Sequence, residues 1–254
     1  YSKLFSSQDI DVIYFHSLSP TFFRLYRYIS KDKIVIWWAW GYDLYSTRAK
    51  LPPLISIKLY KPLTEGYRRL YRTLNFSLHN LLLSIAYPIL LFQRRRLITR
   101  IDYFTPVLHS EYELLKNNCN FFRAKPFMLR GGPGNVVLVP FFYKSVCGNI
   151  LVGNSLSWEN NLLDIFHSLE QIELTLERQI VCPISYGDGY GGKENIKNLV
   201  KDTNLHIKWL DDFLPIKEYQ KINEGITHAI FGSLRQQSMG NINYCLRHSI
   251  KVYL

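Results

Sequence analysis

Three loops in the second half of the sequence each combine glycine with asparagine, serine, tyrosine, arginine or glutamine. The loops span residues 153–160, 185–192 and 232–239, and each one follows a short apolar run. Glycine lets a ligand approach the backbone closely, and the free N–H groups at the start of a helix attract phosphate. In a parallel sheet, ligands bind beyond the carboxyl ends of the strands. The three loops therefore predict one site for a phosphorylated ligand.

The first of these loops carries the closest approach to a phosphate-binding pattern. The candidate ligand contacts here are Gly153, Asn154, Ser155, Asn160 and Asn161. The loop is neither a GxGxxG nor a Walker sequence, so its pattern alone is weak. A plain turn followed by a helix cap, with no ligand, explains the same residues.

The third loop adds an arginine. A guanidinium can form a bidentate contact with diphosphate oxygens, while a solvated loop arginine remains the alternative. Further candidate donor contacts lie in this loop, at the start of the helix that follows it, in the middle loop and at the start of the helix between the two loops. They are Tyr186, Glu218, Tyr219, Arg235, Gln236, Gln237, Gly240 and Asn241. We expect the carboxylate of Glu218 to accept hydrogen bonds from ribose hydroxyls.

Two titratable residues of the first half lie where strands are predicted to end. Asp43 is the last residue of the run Trp38-Ala-Trp-Gly-Tyr-Asp43, and His16 follows Phe15. A carboxylate or imidazole in such a place can act as a general base toward an acceptor hydroxyl. The alternatives are a turn-capping aspartate and a structural histidine. With Arg235, these two residues complete the predicted catalytic set.

The elements that position these residues alternate between strand and helix. Apolar runs end near Phe15, Trp38 and Val107, and the pattern restarts at Asn149 after the Gly/Pro-rich residues 127–135. Such βα series are typical of parallel α/β sheets. We expect two Rossmann-like domains that face each other across a cleft: an acceptor- and membrane-facing domain at 1–140 and a donor-binding domain at 141–254. Because the sequence opens on Tyr1 and closes within a strand-like run, we also expect it to be truncated at both ends.

Basic charge is concentrated in one part of the first half. Residues 44–101 hold eleven lysines and arginines and one acid, so they carry +10 of the net charge of +11. The apolar run 81–92 within them is too short for a membrane span of about 20 residues. Its arginine flanks favour a segment in the membrane interface, although a core helix with solvated ends fits as well. The predicted membrane contacts are Arg68, Arg69, Arg72, Arg94, Arg95 and Arg96.

The ordered set of these motifs resembles the TDP-N-acetylfucosamine:lipid II N-acetylfucosaminyltransferase family (glycosyltransferase family 56). The matching stretches are Phe15–Leu18, Val35–Tyr45, Val152–Ser155 with Asn160-Asn161, Pro183–Gly187 with Tyr190, Leu214–Tyr219 and Arg235–Ile242. They extend over nearly the whole chain. Leu162 departs from the pattern, because many members of that family have a histidine after the paired asparagines.

The resemblance implies a GT-B glycosyltransferase that takes a 4-acetamido-4,6-dideoxyhexose from a TDP-sugar. It further implies an undecaprenyl-diphosphate-linked saccharide as acceptor and a peripheral location on the cytoplasmic face of the bacterial inner membrane. The resemblance also implies that the enzyme uses no cofactor and no metal ion.

Two other functional classes remain open from composition alone. A basic chain with 18 tyrosines and 15 phenylalanines could bind nucleic acid. The clustering of charge around an apolar run, rather than in polar loops, argues against that class. A non-catalytic scaffold at the membrane surface is the second alternative, and it would bind vesicles without binding nucleotide.

Four widely spaced cysteines predict neither a disulfide framework nor a zinc site.

Overall fold

The structure, a computed structural model, describes residue 5 and residues 9–45, 51–74, 78–127, 148–173 and 178–254. For residues 78–86 it describes the backbone alone. Arg48, Lys50, Cys147 and nearly all of the Gly/Pro-rich stretch 127–135 therefore lie outside the described residues.

The chain divides into two compact units. The first comprises residues 1–57 and 76–135, and the second comprises residues 58–75 and 136–254. Residues 58–75 thus belong to the second unit, although the sequence places them in the predicted domain 1–140. The physical reason is hydrogen bonding to the second unit. The backbone N–H groups of Leu63 and Thr64 donate to the carboxylate of Asp164, at 2.9 and 2.8 Å.

The first unit contains a four-stranded parallel sheet in the order β1-β2-β3-β4. Its strands are β1 (Val12–Phe15), β2 (Ile34–Trp38), β3 (Tyr103–Thr105) and β4 (Lys125–Pro126). Alternate side chains of β1 and β2 are buried, as expected for period-two strands that pack one face on a core. The short β4 has no counterpart in the sequence prediction.

Nine helices are assigned among the described residues. They are α1 (Pro20–Phe23), α2 (Tyr42–Tyr45), α3 (Pro62–Leu74), α4 (Leu78–Ile98), α5 (His109–Asn118), α6 (Leu162–Glu170), α7 (Lys193–Leu199), α8 (Ile216–Glu224) and α9 (Met239–Arg247). Short 3-10 turns follow α1 and precede α6, at Arg24–Arg27 and Trp158–Asn160. Residues 61–100 are predicted from the sequence to be mostly helical with a break at Pro88, but Pro88 lies inside α4. Helix α3 ends at Leu74, and α4 begins at Leu78.

The second unit contains a five-stranded, all-parallel sheet in the order β7-β6-β5-β8-β9. Its strands are β5 (Asn149–Val152), β6 (Gln179–Pro183), β7 (His206–Leu210), β8 (Ile226–Ile230) and β9 (Lys251–Tyr253). Helix α6 buries Leu162, Ile165, Phe166 and Leu169 against one face of this sheet. That spacing of three and four residues is the apolar stripe of a surface helix. The opposite face packs on α8 and α9 through Tyr219, Ile222 and Ile242.

Candidate functional site

The strand order of the second sheet fixes where a ligand site can form. Strand β5 lies between β6 and β8, which are its successor and a later strand in the chain. The connections that leave β5 and β8 therefore run to opposite sides of the sheet. Parallel α/β sheets open a crevice at such a switch point, beyond the carboxyl ends of the two strands. The loops that begin at Gly153 and Phe231 flank this position.

Direct contacts join the loop after β5 to the loop after β8. The backbone N–H of Gly153 donates to the carbonyl of Ile230 at 2.9 Å. The side-chain amide of Asn161 donates to the carbonyl of Gly232 at 2.7 Å. A Cβ added to Gly232 would lie 2.6 Å from the carbonyl oxygen of Asn160, so only glycine fits at this close approach.

The loop after β6 joins the same group. The backbone N–H of Leu156 donates to the carbonyl of Tyr186 at 2.7 Å, and that of Gly189 donates to the carbonyl of Leu156 at 2.7 Å. The side-chain amide of Asn154 donates to the hydroxyl of Tyr186 at 2.9 Å. The structure thus brings together parts of all three loops that the sequence singles out.

Three of the predicted donor contacts lie in the interior of this loop cluster. Asn160 and Asn161 are fully buried and Ser155 is nearly so. The amide of Asn160 donates to the carbonyl and the hydroxyl of Ser155, at 2.7 and 2.9 Å. Asn161 accepts from the backbone N–H of Lys61 at 2.7 Å and donates to three carbonyls. These side chains shape the loops, and the described contacts leave Asn161 little capacity to bind a ligand.

The loop after β8 carries the predicted arginine and glutamines. Arg235 is half-buried, and its Nη1 donates to the carbonyl of Gln236 at 2.7 Å, which holds the guanidinium against its own loop. Several buried side-chain oxygens in this loop and in the loop after β5 have no hydrogen-bond partner within the part of the chain that the structure describes. They are Asn154 Oδ1, Asn160 Oδ1, Ser233 Oγ, Gln236 Oε1, Gln237 Oε1 and Ser238 Oγ. Buried polar atoms are normally paired, so this concentration is typical of a polar binding site.

Helix α9 begins at the end of that loop. Its N-cap residue, Ser238, has a left-handed backbone with φ of 60° and makes no side-chain cap. The first-turn N–H groups of Met239, Gly240 and Asn241 have no partner within the helix, because they precede its first repeating bond. Gly240 is exposed, and a Cβ added there would meet nothing within 4 Å. This helix end is therefore open to an anion.

A cavity of about 400 Å³ opens beside the start of α9. Four of the predicted donor contacts line it, namely Asn154, Tyr186, Tyr219 and Asn241. Burial raises the pKa of Tyr219 to about 12, so its hydroxyl stays protonated near neutral pH. The volume lies within the range of small-molecule sites, which are mostly apolar with a few polar groups.

The remaining lining residues of this cavity are not among the predicted donor contacts. They are Pro183, Ser185, Leu210, Asp212, Phe213, Leu214 and Ile216. Three of them, Asp212, Phe213 and Leu214, belong to the loop after β7. Phe213 is 85% exposed and Ile216 is 73% exposed, which is unusual for large apolar side chains beside a pocket. The signal in the sequence was an aromatic residue in a loop that follows a strand.

Glu218 lies in the first turn of α8 and is exposed to solvent. It does not line the cavity, whereas its neighbour Tyr219 does. Its predicted contact with ribose therefore depends on a ligand that extends past the cavity mouth.

Asp43 and His16, the catalytic candidates of the first unit, differ in accessibility. Both carboxylate oxygens of Asp43 accept hydrogen bonds, from the indole of Trp37 at 2.8 Å and from the backbone N–H groups of Leu18 and Trp40 at 3.1 and 3.0 Å. Burial raises the pKa of Asp43, and these three donors oppose the rise. His16 is exposed and packs edge-on against Trp38, with ring centres 4.9 Å apart.

The predicted membrane arginines fall into three groups. Arg94 is buried, and its Nη1 donates to the carbonyl of Pro52 at 2.7 Å, so its guanidinium is part of the fold rather than a headgroup contact. On α3, Arg68 and Arg69 form ion pairs with Glu65 at 2.8 and 2.7 Å, and Arg72 is exposed. On α4, Arg95 and Arg96 are exposed.

Helix α4 presents apolar and basic groups on one exposed face. Ile89 is 60% exposed and Phe92 is 51% exposed, and the guanidinium of Arg96 lies over the Phe92 ring at 5.4 Å. Residues 89, 92 and 96 share a helix face by their spacing.

Across the ranges that the structure describes, no helix has the length and apolarity that a membrane crossing requires. No group of three histidine, cysteine or acidic side chains lies together in those ranges, and metal independence stays a prediction.

Comparisons with known proteins support the fold but not a particular protein family or substrate. No protein-family model matches the chain, and no curated protein sequence matches it. A solved structure from a study of enzymatic glycosyltransfer with retention, using bisubstrate glycomimetics of trehalose-6-phosphate synthase, is similar with a TM-score of 0.55 at 12% identity. The match covers 97% of this chain and 58% of that one, so the chain spans little more than half of its structural neighbour.

The similarity confirms the predicted fold class. The chain has the α/β architecture of a GT-B glycosyltransferase, with one parallel sheet of four strands and one of five. The more specific resemblance to glycosyltransferase family 56 is not confirmed by any matching family model and stays a prediction.

Proposed function

We propose that the chain is the glycosyltransferase region of a nucleotide-sugar-dependent enzyme, with the donor bound at the β5–β8 switch point of the second unit. The observation that carries this proposal is the cluster of three joined loops, in which buried polar oxygens without partners lie next to an open helix N-terminus and an apolar cavity. A nucleoside diphosphate has an aromatic base, a polar ribose and a charged diphosphate. The three parts match those three environments.

The diphosphate is assigned to the start of α9 and to Arg235. The first-turn N–H groups of Met239, Gly240 and Asn241 present partial positive charge to an anion. Arg235 lies four residues before α9 begins and supplies a full charge. During sugar transfer the leaving diphosphate gains negative charge, so these groups stabilise the transition state more than the bound donor.

The nucleoside is assigned to the cavity beside α9. Tyr186 and Phe213 offer aromatic surface for a base, and Asn154 and Asn241 offer amide groups at the same wall. The exposed carboxylate of Glu218, one residue before the lining residue Tyr219, is the candidate partner of the ribose hydroxyls. Aromatic stacking and amide hydrogen bonds are ordinary means of holding a base.

The identity of the substrates is proposed from the family resemblance. It assigns a TDP-linked 4-acetamido-4,6-dideoxyhexose as donor and an undecaprenyl-diphosphate-linked saccharide as acceptor. An acceptor of that kind requires work at a membrane surface, on the cytoplasmic face of the inner membrane. The exposed face of α4 formed by Ile89, Phe92 and Arg96 supports contact with such a surface, because it combines apolar side chains with a cation.

We assign Asp43 a positioning role in place of the general-base role. A general base needs a free lone pair within reach of the acceptor hydroxyl. Both oxygens of Asp43 already accept hydrogen bonds from Leu18, Trp37 and Trp40. We therefore assign the main catalytic demand to the groups that stabilise the leaving diphosphate.

A thermal-shift screen tests the proposed function on the 254-residue chain. The ligands are TDP, UDP, ADP and GDP, with inorganic phosphate as the control for anion binding alone. A ligand at 100 times its dissociation constant stabilises a fold by about 2.7 kcal/mol. We expect TDP to raise the melting temperature most and phosphate to raise it little. Equal, negligible shifts with all four nucleotides would overturn the proposed function.

A further inference from the structure

Four aromatic rings form a connected cluster at the carboxyl edge of the first sheet. Tyr14 and His16 come from the end of β1, and Trp38 and Trp40 come from the end of β2. The Trp38 and Trp40 rings are stacked with centres 5.0 Å apart. The His16 ring lies 4.9 Å from Trp38 and 5.1 Å from Trp40, and Tyr14 lies 6.2 Å from Trp38. We call these four residues the aromatic cluster.

The aromatic cluster reaches solvent. Tyr14 is 41% exposed, His16 is exposed, and Trp38 and Trp40 are half-buried. The indole Nε1 of Trp40 is buried and has no acceptor among the residues that the structure describes. Buried indole N–H groups normally find an acceptor. A partly exposed aromatic cluster with an unused donor is therefore suited to a ligand with both C–H surfaces and oxygen acceptors.

Asp43 holds this cluster in place. Its Oδ1 accepts from the backbone N–H of Trp40. Its Oδ2 accepts from the indole of Trp37, the residue that precedes Trp38 in β2. A further hydrogen bond from the N–H of Leu18 connects the segment that follows His16. One half-buried carboxylate thus fixes both segments that carry the cluster, and Asp43 is a positioning residue.

We propose that the aromatic cluster is a saccharide-binding site and receives a pyranose ring of the acceptor. A pyranose has one or two faces of C–H groups that pack on aromatic rings, and hydroxyls around its rim that need hydrogen-bond partners. The cluster offers the indole faces of Trp38 and Trp40 for the first and the Trp40 indole N–H, the His16 ring and the Tyr14 hydroxyl for the second. Its place beyond the ends of parallel strands is where such sheets bind ligands. The assignment to the acceptor depends on the proposed function, whereas saccharide binding itself does not.

A prenyl chain is the main competing occupant of an aromatic surface. It would use the ring faces and leave the polar rim of the cluster without partners. The polar groups at His16, Tyr14 and Trp40 favour the saccharide. Separate probes for the two occupants decide between them.

The test is a tryptophan-fluorescence and calorimetric titration of the 254-residue chain. The probes are methyl glycosides and N-acetylated disaccharides for the saccharide, and geranyl phosphate for the prenyl chain. The variants are Trp40→Leu and His16→Ala, with Tyr28→Ala as the matched control, because Tyr28 is an equally exposed aromatic residue of the same unit at 44%. We expect at least one saccharide to bind, and Trp40→Leu and His16→Ala to weaken it by about tenfold or more. Tyr28→Ala should bind it as the wild type does.

Three results would overturn the inference: no saccharide binds, binding survives both cluster substitutions, or geranyl phosphate alone binds. The TDP-induced thermal shift, measured on the same variants, separates this inference from the proposed function. If TDP raises the melting temperature but no saccharide binds, the saccharide-site proposal fails and the donor-site proposal stands. If TDP does not raise the melting temperature of the wild type, the proposed function fails instead.

The role of Asp43 needs a readout beyond stability. Asp43→Asn replaces one acceptor oxygen by a donor, so it should loosen Trp40 and weaken saccharide binding while the TDP-induced shift persists in the folded variant. In turnover assays, Trp40→Leu should raise KM for the acceptor without changing KM for the donor. A change in the donor KM alone contradicts the assignment.

Discussion

The side-chain amide of Asn161 donates a 2.7 Å hydrogen bond to the carbonyl of Gly232, which links the loops that leave β5 and β8. The same side chain accepts from the backbone N–H of Lys61 at 2.7 Å. Asn161 also has a left-handed backbone with φ of 51°, a conformation that asparagine tolerates better than most residues. One buried residue therefore fixes both sides of the proposed donor site.

Removing the Asn161 side chain should destabilise the second unit. In Asn161→Gly the backbone can keep its left-handed conformation, so the loss combines the hydrogen bonds and packing of the side chain with the greater unfolded-state entropy of glycine. The variant leaves several buried backbone groups without partners, and each costs about 1–3 kcal/mol. We expect the free energy of unfolding to fall by about 3 kcal/mol or more, measured by urea denaturation.

Asn154→Ala is the control for that measurement. Asn154 is half-buried and its side-chain amide makes one hydrogen bond, to the Tyr186 hydroxyl at 2.9 Å. Its loss should be about 1 kcal/mol. A loss for Asn161→Gly no larger than that for Asn154→Ala would show that Asn161 does not hold the loops.

Charge reversal on α4 should weaken binding to anionic membranes. The double variant Arg95→Glu, Arg96→Glu changes two exposed cations of α4 and should lose roughly 1 kcal/mol per basic residue, before repulsion is counted. Cosedimentation with phosphatidylserine vesicles measures the effect. The buried Arg94 is left unchanged, because its substitution would disturb the fold.

Lys31→Glu, Lys116→Glu is the charge-matched control for the α4 variant. Both lysines are exposed and belong to the same unit, outside α4. The control should retain most of the vesicle binding. Equal losses in the two double variants would mean that net charge alone drives association and that the exposed face of α4 has no special part in it.

Stability should depend on pH through His228. Burial lowers the pKa of His228 below its usual value of 6.5, and the nearby charges of Arg178 and Lys251 lower it further. The unfolded chain therefore binds a proton at a higher pH than the folded chain does. The stabilising contribution is present above pH 6.5 and is lost as the pH falls from there through the lowered pKa.

Thermal melts between pH 5 and pH 8 measure this dependence. His228→Gln should flatten the decline below pH 6.5. His206→Gln removes an exposed imidazole of the same unit and serves as the control, which should keep the wild-type decline. Parallel curves for the wild type and His228→Gln would argue against protonation of His228 as the cause.

Period-two and helical patterns in the sequence were enough to predict most elements of the fold. The strands at Asn149–Val152 and His206–Leu210 agree with their predicted bounds. The bounds are clear because buried β-branched and aliphatic runs are followed by loops rich in polar residues and glycine. The sequence predicts α3 as part of the first domain, because sequence continuity says nothing about the capping of its N-terminus by Asp164, about 100 residues later.

The candidate site was only partly predictable for a similar reason. The residue types of Gly153, Asn154 and Tyr186 suggest ligand contact, and the structure brings their loops together. Sequence alone does not indicate Phe213, because its proximity to Tyr186 depends on β7 lying next to β6. Nor does sequence show that the indole of Trp37 donates to Asp43, a contact that favours a positioning role for this carboxylate.

A calorimetric titration of TDP into the wild type, Arg235→Ala and Arg247→Ala tests the donor site most directly. Arg247 is an exposed arginine at the far end of α9, so its removal changes the net charge equally without touching the start of the helix. Losing a hydrogen-bonded contact between Arg235 and diphosphate should weaken TDP by about 10- to 150-fold. Arg247→Ala should bind TDP like the wild type. Wild-type affinity in Arg235→Ala, or equal losses in both variants, would contradict a nucleotide site at the β5–β8 switch point.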